Sequence, residues 1–318
     1  MVEVPIPREK WTGKIGVLEL GSSSEKGGSR GKKVLVGGSN GMPFLSYEGM
    51  SPNRQVIAGE VMDIANDLPK AVKEFFGDVV NDPVQWAKVW VEKYHADLIC
   101  LKLLSTNPEE ANVSSEAAAE TVKRVLAAVD VPLIVYGCGQ EEKDAKTLEA
   151  VSNIAPKERL LLGYAEEGHY KSISAASMAN DHPLIAFSNL DINLAKQITI
   201  LLTDFGVKKD NIAMDPLMAG LGMGLDYSYS VNERIRLAAL MGDGMLQQPM
   251  LCDSTASWKS PEASDEIVGY GDAKERGVWW EATTAIAALV SGADILVMRH
   301  PKAADIVRET LNELRGGN

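Results

Sequence analysis

Hydrophobic positions in this chain come in short unbroken runs, each followed by a stretch in which apolar residues recur every three or four positions. Beyond residue 80 the alternation is regular. Apolar runs stand at Asp97–Leu104, Pro132–Tyr136, Leu160–Gly163, Pro183–Phe187, Asn211–Met214, Pro249–Cys252 and Asp294–Met298. Runs of this length, apolar on both alternating faces, predict strands buried on both sides. Between them lie helical patterns. Asp82-Pro83 with Gln85 supplies an N-cap, a proline at the first helical position and a partner three residues on. Ala118, Val122, Val125 and Val129 mark the inner stripe of a helix over Ser115–Ala128. Further helices are predicted over 141–153, 170–179, 193–205, 231–241, 275–290 and 303–314, with Ser230 and Glu233 as a capping box for the one at 231.

The start of the chain differs. Ile15–Leu20 and Lys33–Gly38 read as two short strands joined by the Gly- and Ser-rich turn 21–31, a hairpin placed to plug one end of the remaining fold. Residues 42–80 read as a long, less regular insertion. Counting the strand at Lys33 as the first, eight strands result, seven of them followed closely by a helix. That count predicts an α/β fold, a TIM (β/α)8 barrel over 33–318 with an N-terminal hairpin extension over 1–32. A doubly wound open sheet is the alternative.

With 318 residues and 45% hydrophobic content, one large core is within reach. The net charge of −12 argues against nucleic acid, whose binders carry basic patches. No apolar run approaches the ~20 residues of a membrane helix, and the first residues lack the apolar core of a signal peptide. The expected location is the cytoplasm, with reduced thiols. The three cysteines, Cys100, Cys138 and Cys252, are widely spaced, and one short of the set that usually holds an iron–sulfur cluster.

In such a barrel chemistry belongs at the C-terminal ends of the strands. Ser39 and Asn40, Ser105 to Asn107, Gly137-Cys138-Gly139, Tyr164 and Glu166, Ser188 to Asp191, Asp215, Asp253 to Thr255, and Arg299-His300 stand there. The expected rim is polar and mostly uncharged, suited to hydrogen bonding with amides or a neutral heterocycle. Lys102 reads as a satisfied barrel-interior residue. His300 is the one histidine of four at a strand end, and a structural role suits it better than metal ligation. Asp191 and Asp253 read as caps; Asp215 is equally an acid/base group or a cap. Cys138 reads as a small buried hydrophobe rather than a reactive thiol. Gly37-Gly38-Ser39-Asn40-Gly41 has the composition of a phosphate loop and lacks its lysine. No residue is expected to be catalytic or to bind metal.

The stretch Asp215–Tyr229 alternates glycines with Leu217, Met218, Leu221, Met223 and Leu225. It lies either under a partner or ligand, or folded over its own barrel. This run and Asn232–Leu240 after it, together with Val135–Gly139 and Phe187–Asn193, resemble the small, delta-type subunit of the corrinoid iron–sulfur protein. The resemblance spans nearly the whole chain. It implies a carrier of methyl groups in the acetyl-CoA (Wood–Ljungdahl) pathway of anaerobes. Methyl would come from methyltetrahydrofolate through a methyltransferase and go to acetyl-CoA synthase/CO dehydrogenase. The family's partner is a large subunit bearing a 4Fe–4S cluster, with a corrinoid (cobalamin) at the interface above the barrel. The cluster is then expected on the partner chain only. The Asp-x-His-x-x-Gly motif by which some corrinoid proteins ligate cobalt is absent, so this chain is expected to cover the corrinoid through Ser105, Asn107, Gly137, Cys138, Asn189, Asp215, Gly220 and Gly222. A standalone pterin-binding methyltransferase, with Asn107, Asn189 and Asp215 holding the pterin, is the alternative of a different class.

Overall fold

The computed structural model describes residues 6–316. Its first element is the hairpin: β1 (Val17–Leu20) runs antiparallel to β2 (Val34–Gly37), with Leu18 opposite Val36 and Leu20 opposite Val34. Alternation sends Leu18, Leu20 and Val36 to one face. There they pack with Val56, Leu98, Ile134, Leu161, Leu251 and Ile295, which enter from the barrel. These are the first or second residues of their strands, so the hairpin stoppers the N-terminal end, as expected of it.

Eight parallel strands follow: β3 (Val56–Met62), β4 (Leu98–Lys102), β5 (Leu133–Tyr136), β6 (Leu161–Ala165), β7 (Leu184–Phe187), β8 (Ile212–Asp215), β9 (Leu251–Asp253) and β10 (Ile295–Met298). β3 pairs with β10, and Met214 N–H donates to Pro249 O at 2.8 Å beside a parallel bridge from Met214 to Met250, which closes the ring between β8 and β9. The fold is a TIM barrel with an N-terminal hairpin. Helices α1 (Lys70–Phe76) and α2 (Pro83–Glu92) follow β3. Then come α3 (Ser115–Ala128), α4 (Glu141–Ile154), α5 (Tyr170–Asn180), α6 (Ile192–Phe205), α7 (Leu225–Leu240), the single turn α8 (Pro261–Ser264), α9 (Ala273–Ser291) and α10 (Pro301–Leu314). None of the described helices is long and apolar enough to cross a membrane.

Two expectations need correction. The run at Lys33 is not the first barrel strand; it is the second arm of the hairpin. The first barrel strand, β3, lies in the stretch expected to be irregular. Its pattern is broken by Gly59 and Glu60 at its centre, and both have tertiary causes. A Cβ on Gly59 would come within 2.3 Å of the Trp90 ring, so glycine lets α2 approach the strand. Glu60 is a fully buried carboxylate that two cations hold. The second correction concerns α7, which begins at Leu225, so Ser230 lies inside the helix and caps nothing. Gly224, in the left-handed region at φ 98°, makes the reversal into the first turn. The cap at Asp82 holds: its Oδ1 accepts Val84 N–H at 2.9 Å, with Pro83 following.

The stopper's worth can be measured. Leu18→Ala should lower the free energy of unfolding by about 2–5 kcal/mol, the usual cost of emptying a buried leucine site. Urea denaturation followed by circular dichroism checks it. A loss below half a kilocalorie would mean that the hairpin is not part of the barrel's core.

Candidate functional site

Side chains of a barrel strand point alternately in and out. Inward positions near the strand ends form a ring at the mouth, with Tyr164 included across a register shift in β6. In order from β3 to β10 that ring is Glu60, Lys102, Tyr136, Tyr164, Phe187, Asp215, Asp253 and, one residue past β10, Arg299. It divides into two unlike arcs. On β9, β10, β3 and β4 the residues are charged and paired. Arg299 donates to both oxygens of Glu60, Nε to Oε2 at 2.5 Å and Nη2 to Oε1 at 3.0 Å. Lys102 Nζ lies 2.7 Å from Glu60 Oε1 and 2.6 Å from Asp253 Oδ2, and donates to Thr255 Oγ1 at 3.1 Å. On β5, β6 and β7 the ring is aromatic. Tyr136 and Tyr164 lie 4.8 Å apart between ring centres at 36°, and Tyr164 and Phe187 lie 4.4 Å apart at 34°. Lys102 Nζ sits 5.9 Å from the Tyr136 ring centre and joins the arcs on one side. Asp215 is the seam on the other.

Burial sets the chemistry of each acid. For Glu60 burial alone would raise the pKa, but Arg299 and Lys102 outweigh it and hold the carboxyl down to about 2. Lys102 is likewise buried, which disfavours its charge; Asp253 and Glu60 overturn that and push its pKa up. Asp215 has no cation of its own. Burial lifts it, the Leu217 N–H on Oδ1 at 2.9 Å pulls it back, Asp253 lifts it further, and the balance stands at about 7. Burial also raises the Tyr136 and Tyr164 phenols. The Tyr136 hydroxyl is buried beside the Tyr164 phenol.

A second buried carboxylate, Glu281 on α9, supports the ring from behind. It accepts from Arg299 N–H at 2.5 Å, His300 N–H at 3.0 Å and Trp258 Nε1 at 2.9 Å. Burial pushes it up to about 7 despite those three donors. It holds the end of β10 and so aims Arg299 at Glu60. His300 is occupied elsewhere. Its Nδ1 accepts Lys302 N–H at 3.1 Å as the cap of α10, its ring lies between Phe75 and Trp258, and burial depresses its pKa to about 4. A structural role for it, as expected, is what the geometry shows.

The other expected residues fall into distinct places. Ser105 is buried and both its N–H and hydroxyl go to Asp63. Asn107 turns back on its own loop, Oδ1 accepting Glu109 N–H at 3.0 Å. Gly137 and Cys138 belong to a loop clamped by Asp144 on α4, whose oxygens accept Cys138 N–H at 2.7 Å and Gly139 N–H at 2.8 Å. A Cβ on Gly137 would meet that carboxylate at 2.1 Å. Cys138 is half-buried, with its thiol pKa raised by burial. Asn189 is exposed at φ 41°, a conformation that asparagine tolerates. Asp191 caps α6 through Asn193 N–H at 2.7 Å, as expected. Asp253 both caps its turn, accepting Thr255 N–H at 2.9 Å, and pairs with Lys102. Asp215 joins both of its readings, as a loop cap and as a carboxyl poised near neutrality. The expected uncharged rim thus overlies a charged arc. Tyr164 stands at the rim as expected; Tyr136 and Phe187 went unread because each ended an apolar run as one more hydrophobe, and the recurrence of aromatics at three successive strand ends was the available signal.

The glycine loop lies over its own barrel and still presents apolar surface. Met218 is 1% exposed and packs in the core. Leu221 N–H donates to Thr284 Oγ1 at 3.1 Å, Leu221 O accepts Trp280 Nε1 at 2.9 Å, and Ser228 Oγ accepts Ala219 N–H at 2.8 Å. A Cβ on Gly220 would meet the Ser257 backbone at 2.5 Å, whereas one on Gly222, at φ 78°, would meet only Ser260 Oγ at an ordinary 3.5 Å and two more distant side-chain atoms. Met223 is 48% exposed and Tyr227 68%. A second apolar tip, Val268 and Tyr270, stands on a loop that Arg276 grips through four carbonyls, those of Glu262, Asp265, Tyr270 and Gly271. Among the described residues no cluster of histidine, cysteine and carboxylates is arranged to hold a metal ion.

A family model described as the CO dehydrogenase/acetyl-CoA synthase delta subunit matches residues 19–311. The acetyl-CoA decarbonylase/synthase complex subunit delta 1 of Methanosarcina thermophila is 38% identical over 315 residues, covering 96% of this chain and 72% of that protein. The subunit delta of Methanopyrus kandleri is 35% identical over 307 residues, covering 96% and 76%. Among solved structures, dihydropteroate synthase of Xanthomonas albilineans with 4-aminobenzoic acid superposes with a TM-score of 0.56 at 14% identity, covering 85% of this chain and 96% of that one. Dihydropteroate synthase of Coxiella burnetii, in complex with pteroic acid, gives 0.56 at 12%, covering 94% and 99%. At these identities the likeness is one of fold.

The paired arc has a pH signature. Glu60 is held at about 2 against an ordinary 4.5, so the stability it contributes is complete above about pH 4.5 and falls away as pH drops toward 2. Glu60→Gln should remove that dependence and cost about 3–5 kcal/mol at neutral pH by leaving two buried cations short of a partner. Unfolding midpoints of both proteins across pH 2.5–7 test this; equal stability at pH 7 would contradict it.

Proposed function

Because the chain belongs to the CO dehydrogenase/acetyl-CoA synthase delta subunit family, we propose that it is the small subunit of a heterodimeric corrinoid iron–sulfur protein. In that reading it is a methyl carrier of the Wood–Ljungdahl pathway, accepting methyl from methyltetrahydrofolate through a methyltransferase and delivering it to acetyl-CoA synthase/CO dehydrogenase. The large subunit bears the 4Fe–4S cluster and shares the corrinoid, whose cobalt carries the methyl group when bound.

The observation that carries this reading is the divided mouth. A corrin is a broad, flat macrocycle with an apolar face and an amide periphery. The Tyr136–Tyr164–Phe187 arc offers a surface for such a face. The buried Tyr136 hydroxyl and Asp215 carboxyl set the polarity of the floor beneath it. The ion pairs of the other arc satisfy one another and make no demand on a ligand. The residues present therefore fit the group. Cys138, Asn189, Asp215 and Gly222 face it from the loops, while Ser105, Asn107, Gly137 and Gly220 shape the loops that carry them. His300, spent as a cap between two aromatic rings, is not free to ligate cobalt. Met223 and Tyr227 supply the apolar part of the interface with the large subunit, since interface cores favour such residues over charge.

One observation favours the standalone methyltransferase: Asp215, poised near neutral pH at the mouth of a barrel. General acid–base catalysis contributes about 10²–10⁴-fold in rate, whereas one wall hydrogen bond contributes about 0.5–1.5 kcal/mol. The two roles differ enough in size to be told apart in the assembled protein.

Co-expression with the large subunit should yield a complex with corrinoid absorbance and iron, while this chain purified alone is colourless and does not retain methyltetrahydrofolate in equilibrium dialysis. Met223→Asp and Tyr227→Asp should each weaken the complex at least tenfold, about 1.4 kcal/mol, in sedimentation velocity, with the circular dichroism of the chain unchanged. Tight methyltetrahydrofolate binding by the isolated chain, or assembly indifferent to both substitutions, would overturn this assignment.

A further inference from the structure

At the N-terminal end of the barrel, remote from the mouth, the chain encloses a cavity of about 540 Å³. One wall is the segment between the hairpin and β3. Residues 40–50 leave the hairpin, circle out and return: Asn40 N–H donates to Met50 O at 3.1 Å, and Asn40 Oδ1 accepts Met50 N–H at 2.6 Å. Two glycines make the neck. A Cβ on Gly41 would come within 3.0 Å of the Gly49 backbone, and one on Gly49 within 2.7 Å of Asn40 O, so the absence of side chains lets the two arms touch. A compact loop with joined ends is an Ω-loop, a class of segment that frequently carries function. Within it Phe44 is held at φ 62°, a conformation unfavourable for a bulky side chain and kept only where the surroundings impose it. The facing wall is the end of α10, with Leu314 in its last turn and Arg315 just past it.

We propose that this cavity binds a small amphipathic monocarboxylate, with its apolar body against Met42, Phe44, Leu45, Met50 and Leu314 and its carboxylate on Arg315. The volume lies within the range of about 300–1,000 Å³ usual for small-molecule sites, which combine an apolar lining with a few polar groups. Met50 is 75% exposed and Leu314 39%, apolar surface that a seated ligand removes from water. Methionine at this wall adapts to an irregular body. Arg315 supplies the charge. Its Nη1 donates to Asn53 O and Gln55 Oε1 at 3.4 Å and its Nη2 to Ser51 O at 3.3 Å. These are neutral oxygens beyond the ordinary hydrogen-bond range. A carboxylate would meet the planar fork with shorter, charge-assisted bonds. Glu313, exposed, also borders the cavity and disfavours a second negative charge on the ligand. Phosphate is disfavoured again by the glycine run at 37–41, whose composition suggested it: the amides of Gly38 and Asn40 donate to Gly16 O and Met50 O rather than to an anion. The site is independent of the corrinoid reading and lies at the other end of the barrel. A ligand there ties the last helix to the segment that leads into β3, and so stabilises the folded chain by mass action.

Isothermal titration calorimetry of the purified chain with octanoate, octan-1-ol and octylamine tests this. Octanoate should bind roughly tenfold more tightly than octan-1-ol, which offers Arg315 no charge, or octylamine, which offers the wrong one; that margin is the worth of one hydrogen-bonded charge. Arg315→Gln should bring octanoate down to the level of the alcohol. Leu314→Glu, which puts a charge into the apolar wall, should weaken acid and alcohol alike. Both residues are exposed at the end of α10, so each variant should keep the circular dichroism and the ligand-free unfolding midpoint of wild type. Octanoate should raise that midpoint in wild type and not in Arg315→Gln. The proposal is overturned by the absence of saturable heat with octanoate, by an alcohol that binds as tightly as the acid, or by binding that both substitutions leave untouched. It is equally overturned if the chain dimerises in sedimentation velocity and Leu314→Glu makes it monomeric, which would give the apolar wall to a second copy.

Discussion

The buried carboxylate of Glu60 is the constraint on which the mouth of this barrel depends. Moving an isolated carboxylate into the interior costs several kcal/mol even after relaxation. The fold offsets that cost with Lys102 on β4 and Arg299 just past β10, the two strands that flank β3. The same contacts fix the positions of their partners. Lys102 reaches on to Asp253, so one acid on β3 organises four strands. Arg299 can do this only because Glu281, behind the sheet, holds the backbone at residues 299 and 300. Replacing such a network by hydrophobes often leaves a protein as stable or more so. Stability alone is therefore a weak account of why a barrel would carry these charges at its mouth. A second consequence is electrostatic: with four charges mutually paired, the single unpaired carboxyl beside them determines the net charge that the mouth presents.

The βα rhythm was legible because it rests on local physics. Apolar runs of strand length, stripes at helical spacing and caps such as Asp82 and Asp191 act within a few residues, and the structure has them where the pattern puts them. What failed has long-range causes. β3 was missed because Gly59 answers to Trp90, thirty-one positions on, and Glu60 answers to Arg299, at the far end of the chain. The start of α7 was misjudged because Ser230 and Glu233 form a plausible cap, while the actual reversal is made by Gly224 and by Ser228, which turns back to bond Leu217 O and Ala219 N–H. The mouth was half legible. Lys102 as a satisfied interior cation and Asp215 as an ambiguous acid were both evident from their places at strand ends; the aromatic arc and Glu60 were not.

The glycine loop shows how a short segment can be tied down and still available. Its backbone bonds go to Thr284 and Trp280 of α9 and to Ser228 of α7, and Met218 anchors it in the core. A loop so fixed loses little further conformational freedom when something settles on it, and ordering costs are what separate interfaces of equal area. Met223 and Tyr227 are thereby presented in place. The neighbouring loop that carries Val268 and Tyr270 is held differently. One guanidinium, Arg276, donates to the carbonyls of Tyr270 and Gly271, and Gly269 and Gly271 lie at positive φ with open space where a side chain would stand. Two apolar tips are thus presented by different means, one through backbone bonds to α7 and α9 and the other through a single guanidinium, and interface cores favour such residues over charge.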